Sequence, residues 1–141
     1  MSNRNFNGVQ MNQSVTIVEQ AGAEISDVRN RIMAYDTDGN VVLAADGSAV
    51  PVGIALTEAG VNDISGVESG KVTAGDDVDI QVKDIGYVLA GGDLAKGDEV
   101  AASGGLAVKA EAGSYVVGIA LSAVEKDEYC RVQIAKYQKS V

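Results

Sequence analysis

The sequence contains no histidine and one cysteine, Cys130. Ser-His-Asp triads, Cys-His pairs and most zinc sites need an imidazole, so none can be built here. Cys130, Val132 and Ile134 alternate with Arg131 and Gln133, which places the thiol on the apolar face of a strand. With no imidazole to activate it, the expected state is a buried core thiol. Asp36-Thr37-Asp38-Gly39-Asn40 opens like a calcium loop. That loop needs glycine at its sixth position and a bidentate glutamate at its twelfth. Val41 and Gly47 stand there instead, and a hairpin turn is expected. Gly91-Gly92-Asp93-Leu94-Ala95-Lys96-Gly97-Asp98 combines glycines with a lysine but lacks the order that cradles phosphate, which leaves a surface turn. The pairs Asp76-Asp77 and Asp98-Glu99 offer carboxylates, yet neighbours along a strand point to opposite faces. The sequon Asn12-Gln13-Ser14 follows no secretory signal. No catalytic, cofactor-binding or metal-ligating residue is therefore expected, and the chain does not read as an enzyme.

The elements carrying these residues belong to one small domain. At 141 residues the chain can bury roughly two-thirds of its unfolded surface. It is 46% apolar but only 4% aromatic, with no tryptophan and one phenylalanine, so Val, Ala, Ile and Leu must fill the core. That suits thin β-structure, and 17 glycines against 1 proline suit tight turns. No apolar run approaches the ~20 residues that span a bilayer, and Met1–Asn5 opens no signal peptide. A soluble protein made in a cytoplasm, without membrane association, is expected. The net charge of −9 falls wholly on residues 34–141, because residues 1–33 balance three arginines against three acids. An acidic body repels phosphate backbones, so no nucleic-acid partner is expected; colloidal solubility explains the charge equally well.

Residues 1–14 are rich in Asn and Gln, with Phe6, Val9 and Met11 scattered among them, and read as an extended N-terminal arm. Val15–Val18 is a short β-branched strand. Residues 19–33 are ambiguous, since Ile25, Val28 and Ile32 sit at helical spacing while Gly22 weakens a helix. Strands and turns follow: Ile32–Tyr35, Val41–Ala45, Val50–Leu56, a run in which Val78, Ile80 and Val82 face inward, Ile85–Leu89, Tyr115–Leu121 and Cys130–Ile134. Val52-Gly53-Ile54-Ala55-Leu56 recurs unchanged as Val117-Gly118-Ile119-Ala120-Leu121, and the turn glycine Gly39 matches Gly104 at the same offset. Val-Asp-Ile-Gln-Val at 78–82 aligns with Cys-Arg-Val-Gln-Ile at 130–134. The first copy carries a 13-residue insertion, the difference between the 56-to-78 and 121-to-130 spacings, placed within 57–77. The expected fold is an all-β, pseudo-duplicated small barrel or sandwich over 15–141. Its repeats cover about 32–82 and 98–134, and the insertion is a projecting loop. Gly53 and Gly118, each inside an apolar strand, imply a bulge or close backbone approach at equivalent places. Gly70 in the insertion is expected to be exposed and indifferent to substitution.

Three stretches together resemble the capsid decoration (cement) proteins of tailed bacteriophages. They are Tyr35–Ala44, the paired Val-Gly-Ile-Ala-Leu segments, and Gly92-Asp93-Leu94-Ala95-Lys96-Gly97-Asp98-Glu99-Val100. The terminal strand Glu128–Ile134 follows the second pair as in that family, and the resemblance runs from about Val15 to Ile134. It implies a structural virion protein on the outer capsid surface, often a homotrimer, that binds the major capsid protein and bridges coat subunits. The arm residues Arg4, Phe6, Val9 and Met11 are then candidates for capsid contact, by a segment that orders on the assembled lattice. Two alternatives stay open. One is a head-fibre or spike-base module that displays the 57–77 loop. The other is a lipoyl- or biotinyl-type carrier domain, which would need an exposed lysine in a Met-Lys-Met or Asp-Lys-Ala setting that the sequence lacks.

Overall fold

The computed structural model describes residues 15–62, 64, 65 and 68–141. Among them the chain is all-β, with ten strands and no helix. The first half holds β1 (Thr16–Gln20), β2 (Ile32–Tyr35), β3 (Val41–Leu43), β4 (Pro51–Ala55) and β5 (Asp77–Gln81). The second holds β6 (Ile85–Leu89), β7 (Glu99–Ser103), β8 (Leu106–Lys109), β9 (Tyr115–Ala120) and β10 (Tyr129–Gln138). They form two antiparallel five-stranded sheets, ordered β1-β5-β4-β2-β3 and β6-β10-β9-β7-β8, in a sandwich-like arrangement. Counted within its own half, each sheet has the same order: first, fifth, fourth, second, third. The isolated bridges repeat as well. Ala21 meets Val41 as Ala90 meets Ala107, and Ile25 meets Val72 as Leu94 meets Val124. The chain after each first strand thus reaches the last strand of its sheet, which curls the sheet toward closure.

This shared order begins one strand earlier than the 32–82 and 98–134 spans. β1 and β6 take the same place, yet their pairing through Gln81 and Gln133 aligns TIVEQ with IGYVL, which share no residue. The ambiguous 19–33 stretch contains no helix. Ile25, Val28 and Ile32 are all buried, but they are reached by irregular backbone: Ile25 pairs with Val72, and the Val28 N–H donates to the Gly70 carbonyl.

Between the sheets, Ile32, Ala34, Ala44 and Ile54 meet Val88, Leu94, Val100, Val117, Cys130 and Val132. The first half has a second core of its own, built on Ile25, Met33, Val41, Val72, Val78 and Ile80. Central strand β4 is buried along its whole length. Each Val or Ile so placed contributes roughly 1.5–3 kcal/mol of transfer free energy, which is how a chain poor in aromatics stays folded. A Cβ on Gly53 would overlap the Gln81 carbonyl oxygen, and one on Gly118 would overlap the Gln133 carbonyl oxygen. Both glycines admit a neighbouring backbone at the same place in the two halves.

The extra residues of the first half fall between Leu56 and the bridge residue Val72, against Leu121 and Val124 in the second. The base of this segment is tied down: Ala59 and Val72 are buried, and Val61 and Lys71 exchange a backbone bond. Val61, Asn62, Ile64, Ser65 and Glu68 are exposed. Gly70 departs from its expected exposure. It is buried at φ +85°, where a Cβ would strike the Asp27 carboxylate and come within 2.7 Å of Arg29 Nε. Gln81 departs too. Strict alternation points it outward, but it is 7% exposed, because its amide turns into the β5–β6 connection and donates to the carbonyls of Lys83 and Ile85, both at 2.8 Å.

Candidate interaction surface

The residues singled out for chemistry are occupied with holding turns and core. Cys130 is fully buried, its Sγ lying 3.6 Å from the Ser122 carbonyl oxygen. One Asp36 carboxylate oxygen accepts from the Asp38 and Asn40 N–H groups, each at 2.9 Å, so the Asp-Thr-Asp-Gly-Asn run is a self-capped hairpin turn. Asp76 and Asp98 play one role in two places. Each accepts from the N–H three residues back, of Thr73 and Ala95 respectively, at 2.9 Å. Glu128 does the same for Glu125 at 2.8 Å. The third residue of each turn has positive φ: Gly75 at 93°, Gly97 at 89° and Asp127 at 72°. The first acid of each pair is thus a turn cap, Asp76 in front of β5 and Asp98 in front of β7, and Glu128 caps the turn in front of β10. Among the described residues no group of three or more His, Cys, Asp or Glu could hold a metal ion.

The surface carries more information. An open groove of about 620 Å³ is lined by Ile17, Tyr35, Val50, Pro51, Val82 and Lys136, with Ala49 and Val52. Its walls come from β1, the end of β2, the start of β4 and the far end of β10, so both sheets contribute. Lys136 Nζ donates to the Val52 carbonyl oxygen at 2.8 Å and binds the second sheet to the first there. Val15 stands at the rim, since its carbonyl accepts from the Val82 N–H. Arg4, Phe6, Val9 and Met11 lie outside the described residues, and so does the arm they belong to.

A second exposed area lies on β6 and β10. Tyr87 is paired with Arg131, and Tyr129 with Leu89, so Ile85, Tyr87, Tyr129 and Arg131 share one face. In the sequence these read as ordinary strand residues; the signal was a tyrosine on the outward phase of each of two strands, Tyr87 and Tyr129. Nearby, Asp27 takes two side-chain bonds from Arg29, both at 3.0 Å. Burial pushes the Asp27 carboxyl up, but those bonds and the charges of Arg29 and Arg31 outweigh it and leave it below the usual range. On β10, the Tyr137 hydroxyl donates to Glu99, which also pairs with Lys139 at 3.1 Å. That bond pushes the Tyr137 pKa up to about 12 and, with Lys139, holds Glu99 below its ordinary value.

No protein-family model matches the sequence, and no curated protein matches it. Among solved structures the chain is similar to the N base of the head fibre gp8.5 of bacteriophage phi29. The TM-score is 0.64 at 21% sequence identity, and the likeness covers 92% of this chain and all of that one. At that identity the likeness is one of fold, and it spans both sheets.

Proposed function

We propose that the chain is a structural component of the outside of a phage head: a capsid decoration protein, made in the bacterial cytoplasm, that binds the assembled shell and bridges coat subunits, most simply as a homotrimer. The observation that carries this reading is the near end-to-end likeness of fold to a protein described as a head-fibre base. The turn-and-strand motifs named above point the same way. So does the use of the prominent carboxylates as turn caps, which leaves surface and shape as what the molecule offers. In this reading the major capsid protein is the partner, and Arg4, Phe6, Val9 and Met11 contact it from the arm.

A second reading has a specific observation in its favour. The similar structure is itself a fibre base, so this fold suits a module that anchors a projecting fibre. One experiment separates the two. The purified chain is mixed with expanded, DNA-free heads, and bound particles are counted and imaged. Saturation at a fixed ratio to coat subunits, with a regular lattice of knobs, supports decoration. Binding at a few sparse positions supports the fibre base. No binding to heads overturns both.

A further inference from the structure

The two halves share one strand order but differ at one edge, and the difference leaves a docking place. In β6 the backbone groups that point away from β10 belong to Ile85, Tyr87 and Leu89. Each has one of these groups closed off by the first half. Gln81 Nε2 donates to the Ile85 carbonyl at 2.8 Å, Asn30 Nδ2 donates to the Tyr87 carbonyl at 3.0 Å, and the Leu89 N–H donates to the Asn30 carbonyl at 3.1 Å. Asn30 and Gln81 are the two buried polar side chains among the described residues, so this closure is what they are buried for. The pairing register makes Thr16, Val18 and Gln20 of β1 the counterparts of Ile85, Tyr87 and Leu89. The phase agrees: Val15 and Ala21 bond toward β5, through Val82 and Asp76, so the even-numbered residues between them point outward. The counterparts of Asn30 and Gln81 are Gly97 and Gln133, which are exposed and do not reach β1. At the end of this edge the Ala21–Val41 bridge brings β3 alongside and closes the Gln20 carbonyl; among the described residues nothing bonds the outward groups of Thr16 and Val18 or the Gln20 N–H.

Open edges are ordinarily blunted by charged side chains, above all lysine, by proline or by a bulge. β1 reads TIVEQ, pairs with β5 in unbroken register and has no lysine, proline or bulge; its one charge, Glu19, accepts from the Tyr35 hydroxyl, and Val18 is 57% exposed. On the solvent face Val18 and Gln20 lie beside Asp79 and Asp77, both exposed. On the other face Ile17 borders the apolar groove. We propose that β1 accepts an extended strand from a different polypeptide, adding a sixth strand to the first sheet. Its residues alternate between long cations on the solvent face, reaching across Val18 and Gln20 toward Asp79 and Asp77 of β5, and apolar side chains on the groove face. A second copy is the poorer occupant, because pairing β1 with itself brings two acidic flanks together on a chain of net charge −9. The inference goes beyond head binding and does not rest on it.

The test uses the full chain and two seven-residue peptides, one alternating lysine and valine, the other glutamate and valine, with hydrogen exchange read at single amides. In the free chain the Thr16, Val18 and Gln20 amides should exchange fast; slow exchange there means the edge is already covered and overturns the proposal. The lysine peptide should bind and protect these three amides, the glutamate peptide should not, and equal binding of both overturns the charge match. Val18→Pro removes only an outward N–H and is tolerated on an edge strand. It should weaken lysine-peptide binding about tenfold or more with an unchanged melt. The double change Asp77→Asn and Asp79→Asn keeps the backbone groups and should weaken binding severalfold, most at low salt. Undiminished binding by both variants overturns the proposal. So does a dimer of the free chain that Val18→Pro dissolves, which would make a second copy the occupant. No heads enter this experiment, so its outcome is separate from that of the head-binding assay.

Discussion

Gly53, Gly118 and Gly70 show what single atoms decide. A valine at either of the first two would drive a methine carbon into a carbonyl oxygen of the neighbouring strand. Gly53→Val and Gly118→Val are each expected to cost about 3 kcal/mol or more, read as a lower urea midpoint, through overpacking against backbone that cannot yield. Gly70→Val should also destabilise, because its φ of +85° and the adjacent Asp27 carboxylate both oppose a side chain. A melt equal to wild type for both Gly53→Val and Gly118→Val would show that these segments are not equivalent close-packed strands. Cys130→Ala leaves a smaller void and should cost a modest ~1 kcal/mol. The native thiol should react slowly with a thiol reagent and fast in denaturant, and rapid native labelling would contradict its burial. Two ionisable groups supply pH signatures. Tyr137 has a raised folded pKa, so its contribution to stability is whole below pH 10, the ordinary value, and is lost as pH rises toward about 12. Asp27 is lowered, so its contribution is present above pH 3.8 and disappears as pH falls through its folded value. Tyr137→Phe should flatten the alkaline limb of a stability profile and Asp27→Asn the acid limb.

Asn30 and Gln81 bind the elements together. Asn30 sits at φ +56° where the second half has Gly97, and both positions donate their N–H to the residue that ends the fourth strand of their half, Ala55 and Ala120. Glycine evidently meets the backbone requirement. Asn30→Gly therefore removes the amide without imposing strain, and it isolates the bonds to Thr57 and Tyr87. It should lower stability by about 1–3 kcal/mol in urea unfolding, because the Tyr87 carbonyl loses its partner. Amides of β6 should exchange faster than those of β9, since only the outer edge has been released. Uniform acceleration across both sheets would mean that Asn30 acts on global folding and not on this edge.

The proposed decoration and fibre-base roles both ask one rigid body to present a surface to a shell. Rigidity comes from the core between the sheets and from cross-ties such as Lys136 to Val52. Deleting residues 1–14 should leave the melting temperature nearly unchanged and weaken head binding. Unchanged binding would remove Arg4, Phe6, Val9 and Met11 from the contact. Shortening the insertion between Asn62 and Ser69 should likewise spare the fold if the segments flanking Ala59 and Val72 are kept, since among the described residues these carry its buried contacts. A large loss of stability would show that the exposed tip also packs.

Much of this molecule was legible in order along the chain. Alternating Val and Ile runs placed most strands within a residue or two, because burial on one face of a strand imposes a period of two. The repeated Val-Gly-Ile-Ala-Leu marked the two strands that admit a close backbone, because only glycine leaves that space. β7 and β8 were less legible: Glu-Val-Ala-Ala-Ser and Leu-Ala-Val-Lys are short, small and weakly alternating. The equivalence of β1 and β6 left no trace in residue identity, since backbone hydrogen bonding sets their place and many side chains satisfy it. The first acid of each pair read as possible chemistry turned out to be a turn cap, because a carboxylate's partner there is an N–H that no spacing rule names. The open edge of β1 was decided by tertiary structure alone. Whether a strand's outward groups are satisfied depends on what the other half of the chain brings beside it, and for β6 it brings Asn30 and Gln81, while for β1 it brings neither.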